Sequence, residues 1–183
     1  IWFHIDKTLV REKYGIGNEE FVVGSFQRDT EGSDLKSPKL EKGPDRFCDF
    51  VEKLSSEREN VTVLLAGWRR QYVINRLNSS GIKFRYAELP SFDTLNELYN
   101  CLDLYAVLSR FEGGPQSIVE CAANKTPIIS TDVGIASEIL HCSSIIDEHS
   151  LSATHNTEYA YSKVQDLIIP RGFAEFEKMF ESL

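Results

Sequence analysis

Ser109-Arg110-Phe111-Glu112-Gly113-Gly114-Pro115-Gln116-Ser117-Ile118-Val119-Glu120-Cys121-Ala122-Ala123 follows directly on an apolar run, Leu104 to Leu108, that reads as a strand. It places two carboxylates eight residues apart with a glycine pair and a helix start between them. A helix N-terminus presents unpaired N–H groups and about half a positive charge, which suits phosphate. Gly113 and Gly114 let a ligand approach the backbone closely. Carboxylates accept hydrogen bonds from hydroxyls, so Glu112 and Glu120 suit the sugars on either side of a phosphate group. The stretch thus describes a ligand of the order hydroxyls, phosphate, hydroxyls, as in a nucleotide sugar.

Working outward, the chain reads as strands separated by helices of about ten residues. Phe21 to Phe26 is β-branched and aromatic and forms the first strand; Val61 to Ala66 is nearly all apolar, as a strand covered on both faces should be. Lys83 to Leu89, Leu104 to Leu108 and Pro127 to Ser130 follow, with Ser144 to Ile146 as a sixth strand. Between them, Pro44 opens a helix carrying Phe47, Phe50, Val51 and Leu54, Gly67 leads into one with Tyr72, Val73, Ile74 and Leu77, and Asp93 caps one with Leu95, Leu98 and Tyr99. The next helices run from about Gly114 to Asn124 and from Gly134 to Leu140. Leu9 to Tyr14 makes a short helix ending at Gly15, and Tyr14-Gly15-Ile16-Gly17 is a turn, since it precedes a strand where a dinucleotide fingerprint would follow one. Residues 27–42, rich in Gly, Ser, Pro and charge, form a long loop. Such alternation implies parallel βαβ units in an α/β, doubly wound sheet of about six strands, whose ligands bind beyond the strands' carboxyl ends. The 27–42 loop and the Glu112 loop both leave from such ends.

At 183 residues, 42% hydrophobic and 26% charged, the chain suits one domain, 1–183, with a core over 19–146 and a C-terminal helical segment over 150–183. Phe173, Phe176, Met179, Phe180 and Leu183 share one face of that segment, which packs on this domain or on another. A net charge of −8 argues against nucleic acid and anionic membranes as general partners, so any anion is bound locally. No run approaches the roughly 18 apolar residues of a membrane span, Ile1 to Asp6 lacks the regions of a signal peptide, and Cys48, Cys101, Cys121 and Cys142 form no C-x-x-C. A cytoplasmic protein with buried free thiols is expected. His141, Cys142, Asp147 and His149 are metal-capable types whose spacing fits no standard site, so no metal is expected.

Glu112 to Glu120 matches the E-x7-E motif of the GT4-type retaining glycosyltransferases, and Thr126-Pro127-Ile128-Ile129-Ser130-Thr131-Asp132-Val133-Gly134 with Glu138 resembles the family's continuation. Leu9 to Gly17 before a strand, and Glu41-Lys42-Gly43-Pro44-Asp45, are similar to it as well. The resemblance runs over residues 9–146 and implies the donor-binding, C-terminal half of a GT-B fold, two Rossmann-like domains facing across a cleft.

That resemblance implies a catalytic set of Arg28, Lys42 and Glu112, with Glu112 on the donor sugar and the two cations on the diphosphate. It implies donor contacts at Gly24, Gly113, Gly114, Ser117, Ile118 and Glu120, the last holding the ribose diol, and a base site at residues 89–93. The chain departs from the family by inserting residues around Thr30 to Lys39, which leaves Lys36 and Lys39 as rivals of Lys42. The expected activity is retaining hexose transfer from a nucleoside diphosphate sugar to an acceptor hydroxyl. It needs no cofactor, but it needs the N-terminal GT-B domain as partner. The alternatives are a nucleotide-sugar isomerase or epimerase of the same fold, for which no added acid or base is found, and a non-catalytic nucleotide-sugar-binding module.

Overall fold

The computed structural model describes residues 1–147 and 151–181. In chain order it has helix α1 (Lys7–Lys13), strands β1 (Phe21–Ser25), β2 (Thr30–Glu31) and β3 (Ser37–Pro38), then α2 (Pro44–Glu57), β4 (Val61–Ala66), α3 (Gln71–Ser79), β5 (Lys83–Ala87) and α4 (Phe92–Asn100). There follow β6 (Leu104–Val107), α5 (Gln116–Asn124), β7 (Ile128–Ser130), α6 (Ala136–Ile139), α7 (Thr157–Val164) and α8 (Arg171–Glu181). Five strands form one parallel sheet in the order β5-β4-β1-β6-β7. The chain therefore winds outward from β1 in one direction and then, after β5, returns to β1's other side to continue the opposite way.

Side chains alternate across this sheet with the two-residue strand period. Val23, Val63, Leu65, Leu104 and Ala106 face the layer of α2 and α3, meeting Phe47, Val51, Val73 and Leu77. Val22, Leu64, Ala66, Tyr105 and Val107 face the other layer, meeting Leu98 and Tyr99 of α4 and Ile118, Cys121 and Ala122 of α5. All six residues of β4 are buried, as a strand inside a doubly covered sheet requires.

Several sequence expectations are corrected. Residues 27–42 are more than a loop: β2 and β3 pair antiparallel, Gly32 turns between them at φ +73°, and Lys39 N–H donates to the Asp29 carbonyl at 2.8 Å to close the base. Two-residue strands leave no alternation to read in sequence. The sixth strand is absent among the described residues; Cys142–Ser144 is a 3-10 turn and only Ile145 makes a bridge, to Ser130. Helix α4 is capped by Ser91, whose hydroxyl accepts from Thr94 N–H at 3.2 Å, so Asp93 lies within the first turn. Helix α1 starts two residues before Leu9 because the Asp6 carboxylate accepts from the N–H groups of Thr8 and Leu9. Three cysteines are buried, but Cys142 is exposed. The α8 residues Phe173, Phe176, Met179 and Phe180 are exposed, so that face does not join this core; Leu183 and His149 lie outside the described residues. Among the described residues no helix is long and apolar enough to cross a membrane.

Among the described residues one charged side chain lies fully inside. Arg70, 0% exposed, joins Asp29 at 2.6 Å and donates to the Ala66 carbonyl at 2.8 Å and to the Ser25 carbonyl. It ties the carboxyl ends of β1 and β4 to the start of the β2–β3 hairpin. Removing one partner of a buried pair strands the other charge, at a cost of about 3–5 kcal/mol. Arg70→Ala is expected to lose about that much in urea unfolding, and a loss under about 1 kcal/mol contradicts the anchoring role.

Candidate functional site at the sheet's switch point

β1 and β6 are neighbours whose connections run in opposite directions, and the crevice beyond their carboxyl ends is where such sheets bind ligands. Two backbone seams build that crevice. In the first, Arg110 N–H and Phe111 N–H both donate to the Glu41 carbonyl, at 2.8 and 3.2 Å. The Arg110 guanidinium grips the Asp45 carboxylate with both oxygens at 2.7 and 2.6 Å and holds its pKa below the usual range. Gly43 makes this contact sterically open: at φ +61°, a Cβ there would fall 1.9 Å from the Leu108 carbonyl oxygen. In the second seam Gly134, at φ +54°, lies so close to Gly113 and Pro115 that a Cβ would fall 2.9 Å from the Gly113 carbonyl oxygen.

The first seam brings Lys42 and Glu112 together. Lys42 Nζ meets Glu112 Oε2 at 2.5 Å, and the Ser109 hydroxyl donates to Oε1 at 3.0 Å. Gln27, leaving β1, donates from its amide to the Lys42 carbonyl at 2.7 Å. Lys42, Glu112, Gly114, Ser117 and Glu120 then line one hollow of about 360 Å³, whose far wall is aromatic: Phe26, Phe92, Tyr99 and Tyr105. A second hollow, of about 510 Å³, opens on the other side of the Lys42–Glu112 pair toward Gly113 and Asp132.

Helix α5 starts at this hollow. Pro115 occupies its N-cap without a side-chain hydrogen bond, and the first turn holds no acidic residue. The positive end of the helix is thus left for a ligand. Gly113 and Gly114 are exposed, have no positive φ, and an added Cβ would meet nothing within 4 Å. Neither packing nor backbone geometry demands glycine there, whereas a ligand lying against the backbone would. One turn into α5, Glu120 accepts the Tyr99 hydroxyl at 2.6 Å; burial raises its pKa and this hydrogen bond pulls it back only in part.

Not every residue expected at the site reaches it. Gly24 is buried within β1, where a Cβ would fall 2.3 Å from Leu102 Cδ1, so packing against Leu102 and Tyr105 accounts for the glycine. Ile118 is fully buried in the core, and its N–H donates to the Pro115 carbonyl. Arg28 lies outside both hollows: its Nε donates to the Thr30 carbonyl at 2.9 Å and its guanidinium sits 5.4 Å from the Trp68 ring centre. Of the three lysines, Lys42 alone lines both hollows; Lys39 pairs with Glu41 at 3.2 Å on the second, and Lys36 lines neither. Glu138 is exposed in α6, away from both. Of residues 89–93, Phe92 reaches the hollow.

The residues missed from sequence are the supporting ones. From sequence Tyr99 has only a core position on its helix, Tyr105 only a place in a strand, Gln27 only one in the loop, and Asp45, at the end of the Glu41–Asp45 motif, no role of its own. The Tyr105 hydroxyl accepts from Phe26 N–H at 2.9 Å and so fixes the exit of β1 beside the hollow.

Residues 34–168 match the family model described as glycosyl transferases group 1. The chain belongs to that family. Among curated proteins this group 1 domain is 25% identical over 142 residues to the lipopolysaccharide core biosynthesis mannosyltransferase LpsB of Rhizobium meliloti (strain 1021), covering 74% of the chain and 38% of the relative. Among solved structures, HepE of Anabaena in complex with UDP and glucose superposes with a TM-score of 0.72 at 17% identity, over 98% of this chain and 56% of that one. WaaG, a glycosyltransferase involved in lipopolysaccharide biosynthesis, does so with a TM-score of 0.61 at 20% identity, over 92% and 44%. The fold is half of a GT-B architecture, and the domain spans about two fifths to just over half the length of these relatives.

The glycines of the site divide by their surroundings. Gly43→Ala is expected to destabilise the domain by about 2 kcal/mol or more, through left-handed strain and the Leu108 clash. Gly113→Ala is expected to stay within about 0.5 kcal/mol in the same urea unfolding. Equal effects contradict this division. Glu120 has the opposite linkage to an ordinary ion-paired carboxylate: with its folded pKa raised, its charge costs stability above that value, and the cost vanishes below the unfolded range. Glu120→Gln is therefore expected to be more stable than the wild type at neutral pH, with the gap closing as the pH falls through the carboxylate range. A gap that widens on acidification refutes the burial argument.

Proposed function

We propose that this domain binds a nucleoside diphosphate sugar in the crevice between β1 and β6 and, with a second GT-B domain, transfers the hexose with retention to an acceptor hydroxyl, in the manner of GT4-type enzymes. The observation that carries this reading is the grouping of Lys42, Glu112, Gly114, the α5 N-terminus and Glu120 along one hollow, with Gly113 on the adjoining one. The spacing suits sugar, diphosphate and ribose in that order. That HepE, of the same half-fold, was solved with UDP and glucose supports it.

In the free domain Lys42 is neutralised by Glu112. On donor binding the diphosphate takes over Lys42, and Glu112 is released to accept sugar hydroxyls. As the bond from the sugar's anomeric carbon to the diphosphate oxygen breaks, charge grows on the leaving diphosphate, and Lys42 with the helix N-terminus offsets it. The diphosphate takes the proton of the acceptor hydroxyl attacking from the same face, so no protein base is required. Arg28 joins only if its half-buried side chain leaves Trp68 and the Thr30 carbonyl. The acceptor is contributed to mainly by the partner domain.

Calorimetry of the chain against UDP, GDP and ADP is expected to show binding of at least one. Lys42→Ala and Glu120→Ala are each expected to weaken that nucleotide about tenfold or more, as lost charged hydrogen bonds do. A folded chain that binds none of the three overturns the reading in favour of a module with a degenerate site.

A further inference from the structure

We propose that Tyr99 is a positioning residue that aims the Glu120 carboxylate at the ribose. The inference depends on the proposed ribose role of Glu120 and adds what makes that role effective. A glutamate on a helix surface has three rotatable torsions, and holding it in one pose on binding costs side-chain entropy. Here the pose exists before the ligand arrives. The Tyr99 hydroxyl lies 2.6 Å from Glu120 Oε2, and the tyrosine itself is only 1% exposed.

Tyr99 has no freedom of its own. Its ring is enclosed by Phe26 at 4.8 Å, Tyr105 at 5.4 Å and Trp2 at 5.7 Å between ring centres. The backbone of α4 below it is held too: Asn96 and Asn100 bind the extended segment that carries Trp2, through Phe3 N–H, Ile5 N–H and the Phe3 carbonyl. Burial pushes the phenol well above its ordinary pKa, so it remains a donor at every working pH. Toward a carboxylate the phenol acts as donor, so it fixes one oxygen and leaves the other to accept from the ligand. Both Tyr99 and Glu120 line the same hollow.

The test is calorimetry on the full chain with the tightest binder among UDP, GDP and ADP and with its 2′,3′-dideoxy counterpart. Tyr99→Phe keeps the ring and removes only the hydroxyl. It is expected to weaken the ribonucleotide about fivefold to thirtyfold, the range for a hydrogen bond to a charged group, and to leave the dideoxy ligand within about twofold. In the Glu120→Gln background the same change is expected to add much less. Equal weakening of both ligands makes Tyr99 merely structural and overturns the proposal, as does no weakening of either. If the wild type itself fails to prefer the ribonucleotide, the ribose role of Glu120 falls first and this inference with it. A readout independent of any variant's folding is the Tyr99 hydroxyl proton in wild-type NMR spectra. Slow exchange retained with the nucleotide bound supports the proposal, and a hydroxyl freed to exchange with water overturns it.

Discussion

The site depends on one close approach, that of the Lys42-Gly43 backbone to the end of β6. A hydrogen atom in place of a Cβ at Gly43 lets two segments nearly seventy residues apart in sequence share a backbone seam. Pro44 then starts α2 with its ring in the first turn, where no amide hydrogen is needed. The Asp45 carboxylate on that same turn captures Arg110. Sequence order thus becomes spatial order: Lys42 stands at the β6 exit because Gly43 fits there, and Glu112 stands opposite because Arg110 and Phe111 are pinned to Glu41. The short Lys42–Glu112 contact is a consequence of the seam and not its cause.

Local electrostatics leaves room in an acidic chain for the proposed phosphate site. The cations near the crevice are mostly engaged: Arg110 by Asp45, Lys39 by Glu41, Arg70 by Asp29. Of the cations among the described residues, only Lys42 lines the aromatic-walled hollow, and its partner Glu112 is the one that the diphosphate of the proposed donor would displace. On the proposed reading, selectivity for a diphosphate flanked by hydroxyls comes from a local arrangement of one lysine, one helix end and two carboxylates. The net charge of −8 discourages diffuse polyanion binding without opposing that arrangement.

The sheet was legible because most of its strands are apolar runs of three to six residues bounded by glycine, proline or polar caps, while β5 alternates polar and apolar side chains. Val61–Ala66 is the clearest case, since burial on both faces leaves only apolar side chains and one threonine. The central motif was legible for a related reason: Gly113 and Gly114 are glycines that the fold itself does not need. Long-range polar partnerships were not. Nothing in local periodicity shows that Tyr99 reaches across to Glu120, or that Arg70 closes on Asp29 instead of remaining on the surface. The placements of Gly24, Ile118 and Arg28 beside the ligand came from analogy with a family motif. In this chain Leu102 fills the space beside Gly24, the core takes Ile118, and Trp68 with the Thr30 carbonyl holds Arg28. The hairpin inserted after Asp29 changes the local frame that such an analogy assumes.

A competing hollow of about 470 Å³ lies at the opposite, amino end of the sheet, lined by Glu20, Arg58, Asn60 and Lys83. Of the glutamates on its wall, Glu20 is already engaged, accepting from Thr62 and Lys83. Mapping backbone amide shifts by NMR during titration with UDP, GDP or ADP distinguishes the two ends directly. The switch-point site requires the largest shifts at Gly113, Gly114, Gln116 and Ser117, with a smaller set near Lys42. Shifts concentrated instead around Glu20, Asn60 and Lys83 would contradict it.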